Sequence, residues 1–194
     1  MEEKTEFVYT IRPCRAEDLE ALRAICEETS TIALNSEKDR RFLLLTFCDA
    51  YVRFAQDSSF VAADENGRPL GYLFCAADTK AFFRSFRKHV LPEISSLGPK
   101  YAVMGRGVCM MQTFFARFAP AHMHIDLTAA ARRRGIGTAL IRTMKRELSA
   151  RGIPRVSLSV SQKNAAAIRF YEKNGFRLLI RVFGENLMRA QTDK

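Results

Sequence analysis

The run RRRGIGTALI, residues 132–141 of the 194-residue chain, places three arginines directly before a Gly-Ile-Gly turn. An amphipathic segment follows at once, so the glycines stand where a helix begins. The first N–H groups of a helix lack an intrahelical partner and carry partial positive charge, and glycine lets a ligand approach them closely. These residue types predict a site for a phosphate or pyrophosphate. A tight strand-to-helix turn without a ligand is the alternative.

Two common phosphate-binding loops do not fit this run. The dinucleotide fingerprint requires Gly or Ala where the chain has Leu140, and the Gly-Lys-Ser/Thr of nucleotide hydrolases is absent. The net charge of +10 is concentrated near the run, where a single acidic residue, Glu147, opposes the basic ones. The basic residues there are Arg132, Arg133, Arg134, Arg142, Lys145, Arg146, Arg151 and Arg155. Such a stretch suits an anionic small molecule, nucleic acid or a membrane surface.

Two histidines alternate with a carboxylate just before the run, in the segment HMHIDL. If this segment is a strand, His122, His124 and Asp126 lie on one of its faces. Imidazole titrates near neutrality, so either histidine can take a proton from an amine. For each histidine a hydrogen-bonded structural role is the alternative.

The elements that must hold these residues follow from hydrophobic periodicity. Helices are predicted over residues 15–29, 36–56, 135–152 and 164–175, with Ser36 and Asn164 as N-caps. Strands are predicted over residues 7–12, 59–64, 69–77, 122–127, 155–160, 176–183 and 185–190. The order β-α-α-β-β, an insertion, then β-α-β-α-β-β predicts an α/β fold with a partly parallel sheet and helices on both faces.

The insertion, residues 78–120, is rich in aromatic residues. They are Phe82, Phe83, Phe86, Tyr101, Phe114, Phe115 and Phe118. A satellite core, a dimer face and a wall around a small or semi-apolar acceptor are the alternatives. The sequence predicts a helix that ends at Pro92, a loop over 95–100 and a mobile loop over 103–108.

Composition favours one ordinary globular domain over residues 1–194, with 47% hydrophobic and 27% charged residues. The first seven residues do not resemble a signal peptide, and no apolar run is long enough to span a membrane. The five cysteines are scattered and lack Cys-x-x-Cys spacing. We therefore expect reduced thiols, a cytoplasmic location and no metal site.

The segment LTAAARRRGIGTALI resembles the pyrophosphate-binding motif of the GNAT N-acetyltransferase superfamily, Arg/Gln-x-x-Gly-x-Gly/Ala. Arg132, Gly135 and Gly137 occupy the motif positions. Ala129 departs from the proline that the family often has after the strand, which makes the loop less rigid.

The segment SVSQKNAAAIRFYEKNGF resembles a second motif of the same family, an Asn followed by Tyr-x-x-x-Gly-Phe. The motif positions are occupied by Asn164, Tyr171, Gly175 and Phe176. The two motifs lie at the family's spacing, and the order of elements agrees over about residues 7–190. A narrower resemblance, carried by residues 11–29, the segment after AADTKAFF and PAHMHIDL, is to bacterial GNAT proteins related to the acetyltransferase-like domain of O-GlcNAcase.

The resemblance implies a mostly antiparallel sheet of about seven strands with a splayed parallel pair at the cofactor site. It also implies helices on both faces, a partly helical insertion between the third and fourth strands, and acetyl-CoA as cofactor. The residues expected to contact acetyl-CoA are Ile125, Asp126, Leu127, Arg132, Arg133, Arg134, Gly135, Ile136, Gly137, Thr138 and Asn164. For Asn164 a plain N-cap is the alternative.

The resemblance further implies direct acetyl transfer to an amine of a small molecule or peptide in a ternary complex. Tyr171 would protonate the leaving thiolate, and an N–H near Leu127 would stabilise the oxyanion. His124 would act as the base, because it is closer than His122 to the thioester. Packing against the core is the alternative for Tyr171. The alternative function is a non-catalytic module that binds CoA or nucleic acid. As partners we expect acetyl-CoA and an amine acceptor rather than a membrane or nucleic acid, with a homodimer left open.

Overall fold

A computed structural model describes residues 7–192 of the chain. Residues 1–6, to which most of the signal-peptide prediction refers, lie outside the described residues. Seven strands form one sheet in the order β1-β2-β3-β4-β5-β7-β6. Their bounds are β1 Thr10–Pro13, β2 Phe60–Ala63, β3 Pro69–Ala76, β4 Ala121–Leu127, β5 Arg155–Ser161, β6 Arg177–Val182 and β7 Glu185–Gln191. All neighbours are antiparallel except β4 and β5, which confirms the predicted fold class.

Eight α-helices flank the sheet in the described part of the chain. They are α1 Leu19–Thr29, α2 Glu37–Leu44, α3 Ala50–Phe54, α4 Thr79–Ser85, α5 Leu91–Ser96, α6 Pro99–Phe115, α7 Ile136–Ala150 and α8 Ala165–Lys173. A π-helical turn at Leu45–Asp49 joins α2 to α3, and another at Phe86–Val90 joins α4 to α5. None of the helices in residues 7–192 combines the length and the apolar composition that a bilayer crossing requires.

Two hydrophobic cores lie on the two faces of the sheet, because successive residues of a strand point to opposite sides. In β3, Tyr72 and Phe74 enter the core beneath α1–α6, while Leu73 and Cys75 enter the core beneath α7 and α8. The sheet is therefore covered on both faces, as predicted. The chemistry-bearing strand β4 lies in its middle, between β3 and β5.

The helices of the insertion differ from the prediction at three places. The predicted loop over 95–100 is reduced to Leu97 and Gly98, because α5 extends to Ser96 and α6 begins at Pro99. Pro92 does not end the helix, because it occupies the first turn of α5, where its missing N–H costs no hydrogen bond. The predicted mobile loop at 103–108 lies inside α6. A Cβ on Gly105 would come within 2.9 Å of Leu91 and 3.0 Å of Ile94, so this glycine permits close packing of α6 on α5.

Most aromatic side chains of the insertion are buried, so the core alternative describes them best. The buried ones are Phe82, Phe83, Phe86, Tyr101 and Phe115. Phe114 instead points outward and is 41% exposed. A smaller difference concerns β1, which begins at Thr10 rather than Phe7 and includes Pro13 at the edge of the sheet, where a missing donor is tolerated.

Candidate active site

A gap opens in the sheet where β4 and β5 separate. The two strands pair only at Ala121–Val156 and His122–Ser157, and beyond these pairs β5 continues against β7 alone. The N–H of Thr128 donates to the carbonyl of Leu70 on the β3 side. Because backbone groups alternate along a strand, those of Ile125 and Leu127 point the other way, into the gap. The second half of β4 thus offers a free strand edge to a ligand.

The helix α7 begins at the far end of this gap without a side-chain cap. Gly135 is its N-cap residue, with φ of +79°, a left-handed conformation that favours glycine. The N–H of Ala139 donates to the carbonyl of Gly135 over 3.0 Å. The N–H groups before it in the first turn, those of Ile136, Gly137 and Thr138, have no partner within the helix. This first turn has the uncapped N–H groups that the predicted anion site requires, and anion binding there stays a prediction.

The two glycines of the turn are needed for different reasons. A Cβ on Gly135 would have no atom within 4 Å, so only its backbone conformation requires glycine. A Cβ on Gly137 would approach Phe170 to 2.9 Å and Leu127 to 3.3 Å. Gly137 therefore allows α7 to lie close to β4 and α8, and a side chain there would meet protein before any ligand.

The three arginines before the turn are exposed, and two of them are tied to the loop. The Nε of Arg132 donates to the carbonyl of Leu127 over 3.1 Å. The Nε of Arg134 donates to the carbonyl of Ala130, and its guanidinium lies 4.2 Å from the ring centre of Phe7. Arg133 adopts a positive φ of 61°, uncommon for a residue with a side chain. Together with the free strand edge and the uncapped helix, this basic rim fits a ligand with a pyrophosphate and an extended arm.

Asn164 lies at the start of α8, where its Oδ1 accepts a hydrogen bond from the N–H of Ala167 over 3.0 Å. The N-cap role predicted for it is thus present. Its contact with the pantetheine arm stays a prediction.

Glu28, at the end of α1, also reaches the loop that precedes the glycine turn. Its Oε1 accepts a hydrogen bond from the N–H of Ala129 over 3.1 Å. This contact supports the loop at the position where the family often has proline.

The side chains of His124 and Asp126 form a close pair beside the gap. His124 Nε2 lies 2.9 Å from Asp126 Oδ2, and the hydroxyl of Tyr72 donates to the same oxygen over 2.7 Å. The ring of Phe47 lies 5.8 Å from that of His124, which stays one-third exposed. The single face predicted for these β4 residues is therefore observed.

Burial and charge oppose each other in this pair. Burial alone would lower the pKa of His124, but the charge and hydrogen bond of Asp126 outweigh it and raise that pKa above its usual value. Burial would raise the pKa of Asp126, yet the charge of His124 and hydrogen bonds from His124, Tyr72 and Thr29 hold it below its usual value. The arrangement stabilises an imidazolium beside a carboxylate.

His122 lies in the part of β4 that is still inside the core. Its ring nitrogens lie 2.9 Å from the hydroxyl of Tyr51 and 3.0 Å from that of Thr79, and the side chain is 4% exposed. Burial, with a smaller contribution from His124, lowers its pKa to about 3. The structural alternative therefore describes His122, because the gap opens only after this residue.

Tyr171 lies on α8 and packs against Phe170 and Phe176, with ring centres 5.4 and 5.8 Å away. Burial raises its pKa above the usual value, and the charge of Asp126 adds to the effect. The phenol consequently keeps its proton, as a proton donor must. The structure shows packing, the alternative for Tyr171, and leaves its catalytic role a prediction.

Sequence reasoning missed Tyr72 and Phe47 as members of this site. Tyr72 faces Asp126 because β3 and β4 pair antiparallel in that register, which the sequence does not specify. Phe47 reaches His124 from the π-helical turn, which periodicity cannot distinguish from ordinary helix.

Comparison with known proteins agrees with this geometry. The acetyltransferase (GNAT) family matches residues 19–176 of the chain. The crystal structure of SsHAT is 26% identical, with a TM-score of 0.87 over 96% of this chain and 99% of that one. The PaiA N-acetyltransferase from Thermoplasma acidophilum, solved with coenzyme A, is 15% identical with a TM-score of 0.63 over 95% of this chain and 99% of that one.

A phosphinothricin acetyltransferase from Sinorhizobium meliloti, solved with AcCoA, is 18% identical. Its TM-score is 0.60 over 95% of this chain and 88% of that one. These last two comparisons concern the fold, whereas the family match covers most of the chain. The chain belongs to the acetyltransferase (GNAT) family.

Proposed function

We propose that this chain transfers an acetyl group directly to an amine, with His124 as base and Tyr171 as proton donor. The observation that carries the proposal is the pair of His124 and Asp126, 2.9 Å apart beside the free edge of β4. A base must lie where the amine meets the thioester, and this strand edge borders the first turn of α7, where the pyrophosphate would bind.

Each residue has a separate task in the proposed reaction. His124 takes a proton from the attacking amine, and Asp126 stabilises the imidazolium that results. Acetyl-CoA supplies an activated acetyl thioester. The N–H groups of Ile125 and Leu127 point into the gap and are available to a carbonyl oxygen on which charge develops. Tyr171, neutral because of its burial, gives its proton to the departing sulfur.

The cysteines support direct transfer over an acetyl-enzyme. All five are free and buried. Burial raises the pKa of Cys14, Cys26 and Cys75 to about 12, so their thiols stay protonated and weakly nucleophilic near neutrality. Reduced, buried thiols also support the proposed cytoplasmic location.

The acceptor is proposed to be an amine of a small molecule or peptide. The partly exposed imidazole of His124 suits an amine, and the ring of Phe47, 5.8 Å from that of His124, suits an apolar group beside it. A single N-acetyltransferase domain over residues 1–194 and the relation to the acetyltransferase-like domain of O-GlcNAcase remain part of this proposal. Both rest on the order of elements and the sequence motifs.

The test is CoA release measured with a panel of amines, amino acids and amino sugars, followed by His124→Gln. We expect at least one amine to be acetylated, and His124→Gln to lose roughly 10²–10⁴-fold in rate near neutral pH. His89→Gln is the matched control, because His89 is exposed on the insertion and stacks on Phe54. A His124→Gln enzyme with the parental pH profile would contradict the assignment of the base. Tight acetyl-CoA binding with no turnover of any amine would favour the non-catalytic alternative.

A further inference from the structure

The outward face of α6 is an unusually apolar surface. Val103 is 69% exposed, Met110 68%, Phe114 41% and Met104 36%. Val103, Gly107, Met110 and Phe114 follow one another at intervals of four, three and four residues, so they form one stripe along the helix. We call these four residues, with Met104 and Met111 beside them, the α6 stripe.

The fold itself gives the α6 stripe no partner among residues 7–192. The opposite side of the helix supplies the core contacts, through Tyr101, Gly105, Cys109 and Phe115. The exposed side chains of the stripe present on the order of 400 Å² of apolar surface, within the range that marks interaction sites on soluble proteins. The cost of leaving this surface in water indicates a covering partner.

Gly107 lies at the centre of the stripe and allows close approach of a second helix. A Cβ on Gly107 would have no atom within 4 Å, so nothing in its own chain requires a glycine there. Glycine in the middle of a helix costs about 1 kcal/mol relative to alanine. A helix from another molecule that crosses at this point would benefit from the missing side chain.

We propose that α6 pairs antiparallel with α6 of a second copy of this chain, across a two-fold axis at Gly107. In this arrangement, residues equally far before and after Gly107 meet each other. Met104 of one copy contacts Met110 of the other, and Val103 contacts Met111. Both of these pairs are apolar with apolar, the self-complementarity that a two-fold interface requires. At the two ends of the stripe, Phe114 of one copy lies opposite Lys100 of the other.

The helix dipoles favour the antiparallel direction, whereas the charged side chains favour neither direction. The charged residues of α6 are Lys100 and Arg106, both basic, and Arg117 and Arg87 lie at its C-terminal end near Phe114 and Thr113. An antiparallel pair opposes the two helix dipoles. It also brings Lys100 of each copy near Arg117 of the other, but Lys100 is paired with Asp39 of its own chain over 3.0 Å. Arg106 stays near the axis, where the two copies repel each other weakly through solvent.

The size of the surface indicates a reversible dimer. Two such stripes bury roughly 800–1,000 Å² in total, below the standard size of a permanent interface. We therefore expect a dissociation constant of ~10–500 μM. Near the axis, Arg106 of one copy repels Arg106 of the other, and the rest of the contact is apolar. Salt screens this repulsion, so we expect it to strengthen association. Binding of basic residues to nucleic acid instead weakens as salt increases.

Analytical ultracentrifugation from ~5 to 500 μM tests the proposal. We expect a monomer–dimer equilibrium in the parent and a loss of at least tenfold in association in Met110→Glu. Phe183→Glu is the matched control: Phe183 is 86% exposed in the turn between β6 and β7, so the same change in polarity there leaves association unchanged. A parent that stays monomeric at every concentration, or equal effects of the two variants, would overturn the proposal.

A cross-linking experiment tests the position of the axis. With oxidised glutathione as oxidant, Gly107→Cys should form a disulfide between two copies faster than Leu178→Cys, a control on β6 that is 42% exposed. The native cysteines in residues 7–192 are all buried and give little background. Equal rates for the two variants would refute pairing at Gly107 even if the protein dimerises elsewhere. Neither the sedimentation nor the cross-linking experiment depends on acetyl transfer. Both therefore test the dimer even if the proposed function is wrong.

Discussion

Asp126→Asn removes the carboxylate charge beside His124 while nearly preserving the shape of the side chain. Over the 2.9 Å between Asp126 Oδ2 and His124 Nε2, the gross Coulomb attraction is about 6 kcal/mol at an effective dielectric constant of 20. Desolvation and the one-third exposure of His124 offset much of this energy, and hydrogen bonds to charged groups typically retain roughly 1.5–3 kcal/mol. We therefore expect kcat/KM to fall roughly 10- to 150-fold at pH 8.

The pH dependence of Asp126→Asn supplies a sharper test than its rate. The charge and hydrogen bond of Asp126 raise the pKa of His124 against the effect of burial. Without the carboxylate, burial dominates and the pKa of His124 falls. A base must be neutral to accept a proton, so the acidic limb of the pH–rate profile moves to lower pH in the variant.

Two measurements check this expectation. CoA release between pH 5 and 9 gives the position of the acidic limb, and an NMR titration of the His124 ring gives its pKa without relying on turnover. Calorimetric titration with acetyl-CoA is the control, and we expect its affinity to change less than threefold. An acidic limb that stays in place or moves to higher pH would refute the role of the pair.

Three other changes test separate parts of the structure. Gly137→Ala should lower the free energy of unfolding by about 1–3 kcal/mol, because the new Cβ would lie 2.9 Å from Phe170. Thermal unfolding measures the loss, and adding Phe170→Leu to the same chain should restore part of the stability. Tyr171→Phe should lower kcat with little change in acetyl-CoA affinity. If the variant keeps the parental kcat under conditions where acetyl transfer limits turnover, Tyr171 is a packing residue and not the proton donor. His122 has a depressed pKa, so its contribution to stability is full above the unfolded value of 6.5 and is lost as pH falls toward about 3. Urea unfolding of His122→Gln should therefore show a smaller loss of stability over this range than the parent, by up to about 1.4 kcal/mol per pH unit.

The order of elements and the helix start at Gly135 were predictable from the sequence, because local signals specify them. Ser36, for example, accepts a hydrogen bond from the N–H of Asp39, as its N-cap position indicates. The turn at Gly135 likewise lies between the predicted strand and helix. In both cases the residue type and its immediate neighbours decide the conformation.

Features that depend on tertiary contact were not predictable. His122 and His124 have the same spacing and parity, yet one lies before the separation of β4 and β5 and the other after it. The sequence predicts a loop over 103–108 that includes Gly105, but the missing side chain of Gly105 allows close contact of α6 with α5. Tyr72 contacts Asp126 because the register of β3 and β4 places the two residues opposite each other. Each of these features depends on which part of the fold packs against the residue, and a local sequence pattern does not contain that information.

The separation of β4 from β5 also has a consequence for amide hydrogen exchange. In the second half of β4, the N–H groups of His124 and Asp126 point towards β3, while those of Ile125 and Leu127 point into the gap. Four consecutive amides of one strand should therefore alternate between slow and fast exchange with solvent deuterium. A ligand that pairs with this edge would slow the two fast amides and leave the others unchanged, so residue-resolved exchange reports occupancy of the gap without any turnover.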